Sequence, residues 1–319
     1  MIRGTRLAAL PAALAVAAIV ACSRPAPEPP SAGPPSATVS PYFVTPDLLA
    51  AALADAGTVV LHVARDRNEY DAGHVPGAQF LPLGAIVVER DGVPNELPEP
   101  ATLDSVFESV GVTDGSRVVL YGEPLVAARA YFTLDYLGHG EQVAVLDGGL
   151  GAWRLAGRPV TRDAQAAAPA AGGLTARPRP DLVVGAAWVA ERLQAPGVAM
   201  LDARPADEYS GDKAGEGVER PGHITGAASL FWKETIVSDV DPRLVDAARL
   251  GALFVAAGAE PGDTVVTYCR TGVQASHLYL VARRLGYVVR MYDGSYLDWS
   301  RREALPVATG EGAARTGGG

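Results

Sequence analysis

Residues 264–292 read TVVTYCRTGVQASHLYLVARRLGYVVRMY: an apolar run, a polar loop that opens on a cysteine, a helical pattern, and a second apolar run. Thr264 to Tyr268 is short, apolar and rich in β-branched residues, the profile of a buried strand. Between Ser276 and Leu285, the residues Leu278, Val281, Ala282 and Leu285 fall at i, i+3, i+4 and i+7, one face of a helix. Val288 to Tyr292 returns to strand. Upstream, Val198 to Leu201 is another buried-type run and Val245 to Ala257 has helical spacing. Strands that alternate with helices require crossover connections, so the pattern predicts an α/β fold: a parallel sheet with helices on both faces. Ligands of such sheets bind beyond the carboxyl ends of the strands, which is where Cys269 stands.

The same series occurs earlier in the chain. Val63-Ala64-Arg65, Glu69-Tyr70 and Gly73-His74-Val75-Pro76-Gly77-Ala78 are answered by Asp202-Ala203-Arg204, Glu208-Tyr209 and Gly222-His223-Ile224-Thr225-Gly226-Ala227. Farther on, Val118 to Tyr121 matches Val265 to Tyr268, Asp147-Gly148 matches Asp293-Gly294, and Trp153 matches Trp299, at a displacement of about 147 residues. The chain therefore reads as two tandem copies of one domain, 42–162 and 181–309. An Ala-, Gly- and Pro-rich linker, 163–180, joins them, and a Gly-rich tail, 310–319, is expected to be disordered. A length of 319 residues accommodates two such domains, each with its own core.

Lys and Arg number 27 against 36 Asp and Glu, a formal charge of −9. That balance gives no general attraction to nucleic acid. An anionic ligand must instead be held locally, by arginine and backbone N–H groups.

At the N-terminus Arg3 and Arg6 precede an apolar run, Leu7 to Val20, that is too short and too rich in alanine for a membrane span. Residues 1–21 read as a secretory signal. Its end, Ile19-Val20-Ala21-Cys22, resembles a bacterial lipobox, which would make Cys22 the lipid attachment site. The Pro- and Ser-rich stretch 22–41 reads as an extended tether. The expected address is outside the cytoplasm, on a membrane lipid anchor facing the periplasm.

Cys269 then stands alone in the folded part. A lone thiol in an oxidising compartment is a liability unless it is buried or used. It ends a strand, with Arg270 beside it and Gly272 allowing a tight turn into a helix expected to begin near Ala275. Inward-facing N–H groups, a helix N-terminus and a neighbouring arginine all favour an anion at the sulfur, so the spacing predicts a thiolate at neutral pH. With no second cysteine close by and no cluster of His and acids, neither a metal nor a cofactor is expected. His74 and His223 occupy matching repeat segments and read as structural turn residues, and Trp153 and Trp299 as core anchors. His277 is expected to face solvent or cap its helix; His62 and His139 have no counterpart in the repeat.

The loop Cys269-Arg270-Thr271-Gly272-Val273-Gln274-Ala275-Ser276, the Asp202-Ala203-Arg204 run with Glu208-Tyr209, and the two Gly-His-x-x-Gly-Ala segments resemble the rhodanese family from Thr45 to Val307. The resemblance implies two tandem rhodanese-like domains with the nucleophile only in the second, the arrangement of thiosulfate and 3-mercaptopyruvate sulfurtransferases. It implies that Cys269 accepts a sulfur from a small anionic donor as a persulfide and passes it to a thiol or cyanide. Thr271, Gly272, Val273, Gln274 and Ala275 would cradle the anion with Arg270, and Arg204 would help hold the donor. Arg270 favours thiosulfate over 3-mercaptopyruvate, although thiosulfate enzymes of the family typically carry lysine where this chain has Thr271. In the first copy Gly122 takes the place of Cys269 and is followed by Glu123 and Pro124. Val63 stands where the second copy has Asp202, so the first copy is expected to be a structural wall of the cleft. Two alternatives differ in class. A related thiolate phosphatase would need an arginine six residues after the cysteine, where this chain has Ala275. A non-catalytic lipoprotein that carries or senses persulfide would keep Cys269 without turnover.

Overall fold

Alternation along each strand sorts side chains onto two faces, and here the two faces have different neighbours. The computed structural model describes residues 42–163 and 172–311, together with residues 1 and 4. Nearly all of the expected signal, Cys22 and the whole of the tether lie outside the described residues, as do part of the linker and most of the tail.

The first copy forms a five-stranded, all-parallel sheet in the order Phe43–Val44, Val143–Leu146, Arg117–Gly122, Thr58–Ala64, Gln79–Pro82. The second repeats that order with Val183–Val184, Val288–Tyr292, Thr264–Tyr268, Val198–Asp202 and Ala228–Ser229. The cysteine-bearing strand is central in its sheet, as its continuous apolar run requires. The helix after it spans Val273–Arg284, two residues earlier than the sequence pattern suggested, because left-handed Gly272 (φ +87°) serves as its cap.

Inward faces of both sheets share one apolar core. Leu61, Leu120, Leu103 and Phe107 of the first copy join Val265, Met291, Leu250 and Phe254 of the second in a single cluster that also contains Cys269. The outward faces are separate: Val119, Tyr121, Leu49 and Trp153 on one side, Val266, Tyr268, Val189 and Trp299 on the other. Each tryptophan is buried and donates to a main-chain carbonyl, Trp153 to Pro159 at 2.7 Å and Trp299 to Pro306 at 2.9 Å. The repeat persists at the level of single hydrogen bonds. Tyr70 and Tyr209 donate to the carbonyls of Ala78 and Ala227 at 2.8 and 2.7 Å. His74 and His223 stack on those tyrosines at 3.7 and 3.8 Å, so both histidines are structural.

The copies meet through helices Pro124–Tyr136 and Val273–Arg284, where Phe132 and Tyr279 pack edge to face at 5.0 Å. Asp135, fully buried, accepts from Tyr279 Oη at 2.7 Å and pairs with Arg179 at 2.9 Å and Arg283 at 3.3 Å. On either side a buried or near-buried carboxylate crosses the boundary. Asp293 accepts the N–H of Leu97 at 2.7 Å, and Asp147 accepts that of Leu244 at 2.9 Å, the same bond made in opposite directions by the two copies. Removing Asp135 leaves the buried Tyr279 hydroxyl without its acceptor and two part-exposed arginines without their counter-charge, at a cost of about 1–3 kcal/mol. Asp135→Ala should lose that much stability in urea unfolding; a loss under about 1 kcal/mol, the worth of an exposed pair, would contradict the role assigned to this carboxylate.

Candidate active site

Tyr268 pairs in register with Asp202, and the next residue, Cys269, leaves the strand at its carboxyl end. The thiol is 1% exposed. Its sulfur accepts the Gly272 N–H at 3.1 Å, and the backbone N–H groups of Ala275, Thr271 and Gln274 also act on it. Val273 is the first residue of the helix beneath. Of the loop residues expected from the sequence, Thr271, Gly272, Gln274 and Ala275 direct their N–H groups at the sulfur. Arg270 is half-buried, and its guanidinium makes no ion pair or hydrogen bond among the described residues.

The loop is fixed from outside by groups the sequence reading passed over. Cys269 N–H donates to Ser295 Oγ at 3.3 Å, Ser295 Oγ donates to the Tyr292 carbonyl at 2.9 Å, and the Cys269 carbonyl accepts from Tyr296 N–H at 2.9 Å. Ser295 holds the left-handed backbone, φ +55°, that Gly149 holds in the first copy; a serine where the repeat has glycine was the available signal. Gly272 is enclosed just as tightly: a Cβ there would lie 3.0 Å from Asp293 Oδ1 and 3.1 Å from Arg129 Nη1. Arg129 comes from the other copy, is fully buried, and pairs with Asp293 at 2.6 Å. An arginine inside the mostly apolar run Leu125–Leu134 was its only trace in the sequence.

Burial pushes the Cys269 thiol above its ordinary value; the N–H groups of Ala275, Thr271 and Gln274 pull it down, and the Asp202 carboxylate adds to the rise. The thiolate expected at neutral pH is therefore corrected. The cradle exists, but a side chain so enclosed loses more hydration than the loop replaces.

Arg204, expected to help hold the donor, sits among protein partners. It is 1% exposed, bonds Asp202 through Nε at 2.9 Å and Nη2 at 2.6 Å, donates to the Gly222 carbonyl at 2.8 Å, and lies 4.2 Å over the Tyr296 ring. Burial opposes its charge, and Asp202 more than restores it, leaving the guanidinium above its ordinary value. In this geometry Arg204 is held in a buried ion pair with Asp202. His277 faces neither solvent nor the helix cap. It is buried, hydrogen-bonded to Thr235 Oγ1 at 2.8 Å, set against Trp232, and pushed down to about 4 by burial, so it stays neutral.

The first copy shows what the site needs. Gly122 has φ +151°, and a Cβ on it would sit 2.0 Å from the Val63 carbonyl oxygen, so a cysteine cannot be placed there without moving the strand. Strand register also corrects the repeat alignment. His62 pairs with Tyr121 as Asp202 pairs with Tyr268, so His62, not Val63, is the counterpart of Asp202. A one-residue slip separates the arginine motif from the strand. Burial holds His62 near 4, and its Nδ1 has no hydrogen-bond partner among the described residues. A cavity of about 540 Å³ lies at this end of the first copy, lined by His62, Glu123, Pro124 and, from the second copy, Trp232 and Lys233.

The family model described as Rhodanese-like domain matches residues 45–156 and again 185–302. A probable 3-mercaptopyruvate sulfurtransferase of Pseudomonas aeruginosa is 33% identical over 85% of this chain and 99% of its own length. A putative thiosulfate sulfurtransferase of Mycobacterium leprae is 29% identical over 85% and 99%. The crystal structure of YnjE is 26% identical, with a TM-score of 0.75, over 84% of this chain and 68% of that one. The chain belongs to the rhodanese family. It is an enzyme of the sulfurtransferase class, and among the described residues Cys269 is its one free cysteine.

A thiol whose pKa is raised gains thiolate only as pH climbs toward that value. Alkylation of Cys269 by iodoacetamide, followed on its own peptide by mass spectrometry, should still accelerate with pH at about 8.5, where an ordinary thiol is half ionised. A plateau below neutral pH would mean that the resting sulfur is already charged.

Proposed function

We propose that the protein transfers a sulfane sulfur from thiosulfate to a thiol or cyanide through a persulfide on Cys269. The observation that carries the reading is the sulfur itself, seated at the end of a central strand with the Gly272 N–H 3.1 Å away and further loop N–H groups directed at it. Beside it stands Arg270, a cation without a protein partner among the described residues and thus free to meet an anion.

In the first step the ionised Cys269 sulfur attacks the outer sulfur of the donor. A new S–S bond forms, the donor's own S–S bond breaks, and its electron pair leaves with sulfite. The persulfide anion is held by the loop N–H groups, fixed dipoles that need no reorganisation as charge arrives. In the second step an acceptor thiolate or cyanide attacks the outer sulfur, and the Cys269 thiolate departs. One product leaves before the second substrate reacts, so the kinetics are ping-pong. A thiol pKa raised by burial suits this cycle: the resting sulfur is protected, and negative charge is favoured once a donor occupies the cleft and the outer sulfur is transferred.

A second donor reading, 3-mercaptopyruvate, is favoured by the Pseudomonas aeruginosa relative, whose identity is the higher of the two. There the C–S bond breaks and pyruvate leaves as its enolate. Steady-state rates with each donor and cyanide separate the two. Wild-type enzyme should yield thiocyanate with thiosulfate the better donor and a mass increase of one sulfur on Cys269, and Cys269→Ala should yield none. Full turnover in the alanine variant would remove the nucleophile from the mechanism.

The proposed setting is a membrane surface outside the cytoplasm, with lipid on Cys22, supported by the signal-like sequence and lipobox. Among the described residues no helix is long and apolar enough to cross a membrane. In bacterial cells that carry out lipoprotein processing, Cys22→Ala should move the protein from the membrane to the soluble fraction; continued sedimentation with membranes would contradict the anchor.

A further inference from the structure

The copy without a nucleophile touches the catalytic loop at a point the family resemblance did not bring forward. Its hairpin pairs Val88–Arg90 with Val93–Glu96, and from the second strand Asn95 Nδ2 donates to Thr271 Oγ1 at 3.1 Å. Asn95 is held in place on both sides. Two residues on, Leu97 N–H donates to Asp293 at 2.7 Å, and at the hairpin turn the Asp91 carbonyl accepts from Arg301 at 3.2 Å. The backbone of Asn95 is left-handed, φ +67°, a conformation asparagine tolerates better than most residues.

A threonine hydroxyl has one proton and two acceptor lone pairs. With Asn95 donating to one lone pair, the proton of Thr271 is directed away from Asn95. Thr271 is half-buried, two residues from the reacting sulfur, in the loop whose N–H groups surround it. We propose that Asn95 is a positioning residue of the active site: it orients the Thr271 hydroxyl as a hydrogen-bond donor to the anionic end of the sulfur donor. Donor affinity is then set partly from within the copy that has no cysteine. This inference rests on the reading of Cys269 as the sulfur-accepting nucleophile.

The test is a mutant cycle on the purified full chain, with thiosulfate and 3-mercaptopyruvate as donors and cyanide as acceptor. Asn95→Gly removes the amide and keeps the left-handed backbone unstrained; Thr271→Val removes the hydroxyl at similar size. Each should raise the donor KM about fivefold, the worth of one neutral hydrogen bond, with kcat changed by less than about twofold. The double variant should be no worse than Thr271→Val alone, because both changes act through one hydroxyl. Asn95→Asp should raise KM more than Asn95→Gly: a carboxylate accepts the hydroxyl proton, leaving the hydroxyl unable to donate it to the anion. An unchanged KM in Asn95→Gly, or losses that add in the double variant, would overturn the proposal. Equal falls in kcat and thermal stability for Asn95→Gly and Asn95→Asp would overturn it too, since a merely structural contact behaves that way. Turnover retained by Cys269→Ala is a separate result, which removes the nucleophile and this inference with it.

Discussion

Asp293 is the carboxylate on which the site depends. One oxygen takes the Arg129 guanidinium and the other the Leu97 N–H, both from the opposite copy. The side chain meanwhile lies where any substituent on Gly272 would have to go. Gly272 donates its N–H to the Cys269 sulfur at 3.1 Å, so the boundary between the copies and the geometry of the cradle meet at one carboxylate. A buried carboxylate can do this only when its charge is matched and its oxygens are satisfied. Here Arg129 matches the charge, and Leu97 helps to satisfy the oxygens.

The duplication explains why such a device exists. Two copies that bury their inner faces against each other must also satisfy polar groups at that boundary, and each does so by sending a carboxylate to a leucine N–H of the other. Only the second copy has turned this frame toward chemistry. Where the first has Gly122 closed against a strand carbonyl, it has Cys269; where the first has Gly149, it has Ser295, whose hydroxyl holds the cysteine N–H; where the first has neutral His62, it has the Asp202–Arg204 pair. The first copy is more than a wall, since it supplies Arg129, Leu97 and Asn95 to the loop's surroundings.

Electrostatics at the sulfur are local and opposed. Burial and the Asp202 carboxylate disfavour charge, and the loop N–H groups favour it. In a chain of net charge −9 the anionic donor has no long-range attraction to follow. In the proposed reaction its recognition would fall to the few donors within reach of the loop: Arg270, the N–H groups, and the hydroxyl of Thr271.

The sequence alone determined the α/β class, the internal repeat, the strand Thr264–Tyr268 and the cysteine loop, because those features are written in short-range periodicity and in residue types that few other structures demand. It did not determine the state of the thiol, the fate of Arg204, the burial of His277, or the roles of Arg129, Ser295 and Asn95. Arg129 and Asn95 meet partners more than a hundred residues away in the other copy, Ser295 and His277 meet partners dozens of residues away in their own, and the thiol and Arg204 depend on how far water is removed. Spacing along a chain carries no record of that; only the tertiary packing decides it.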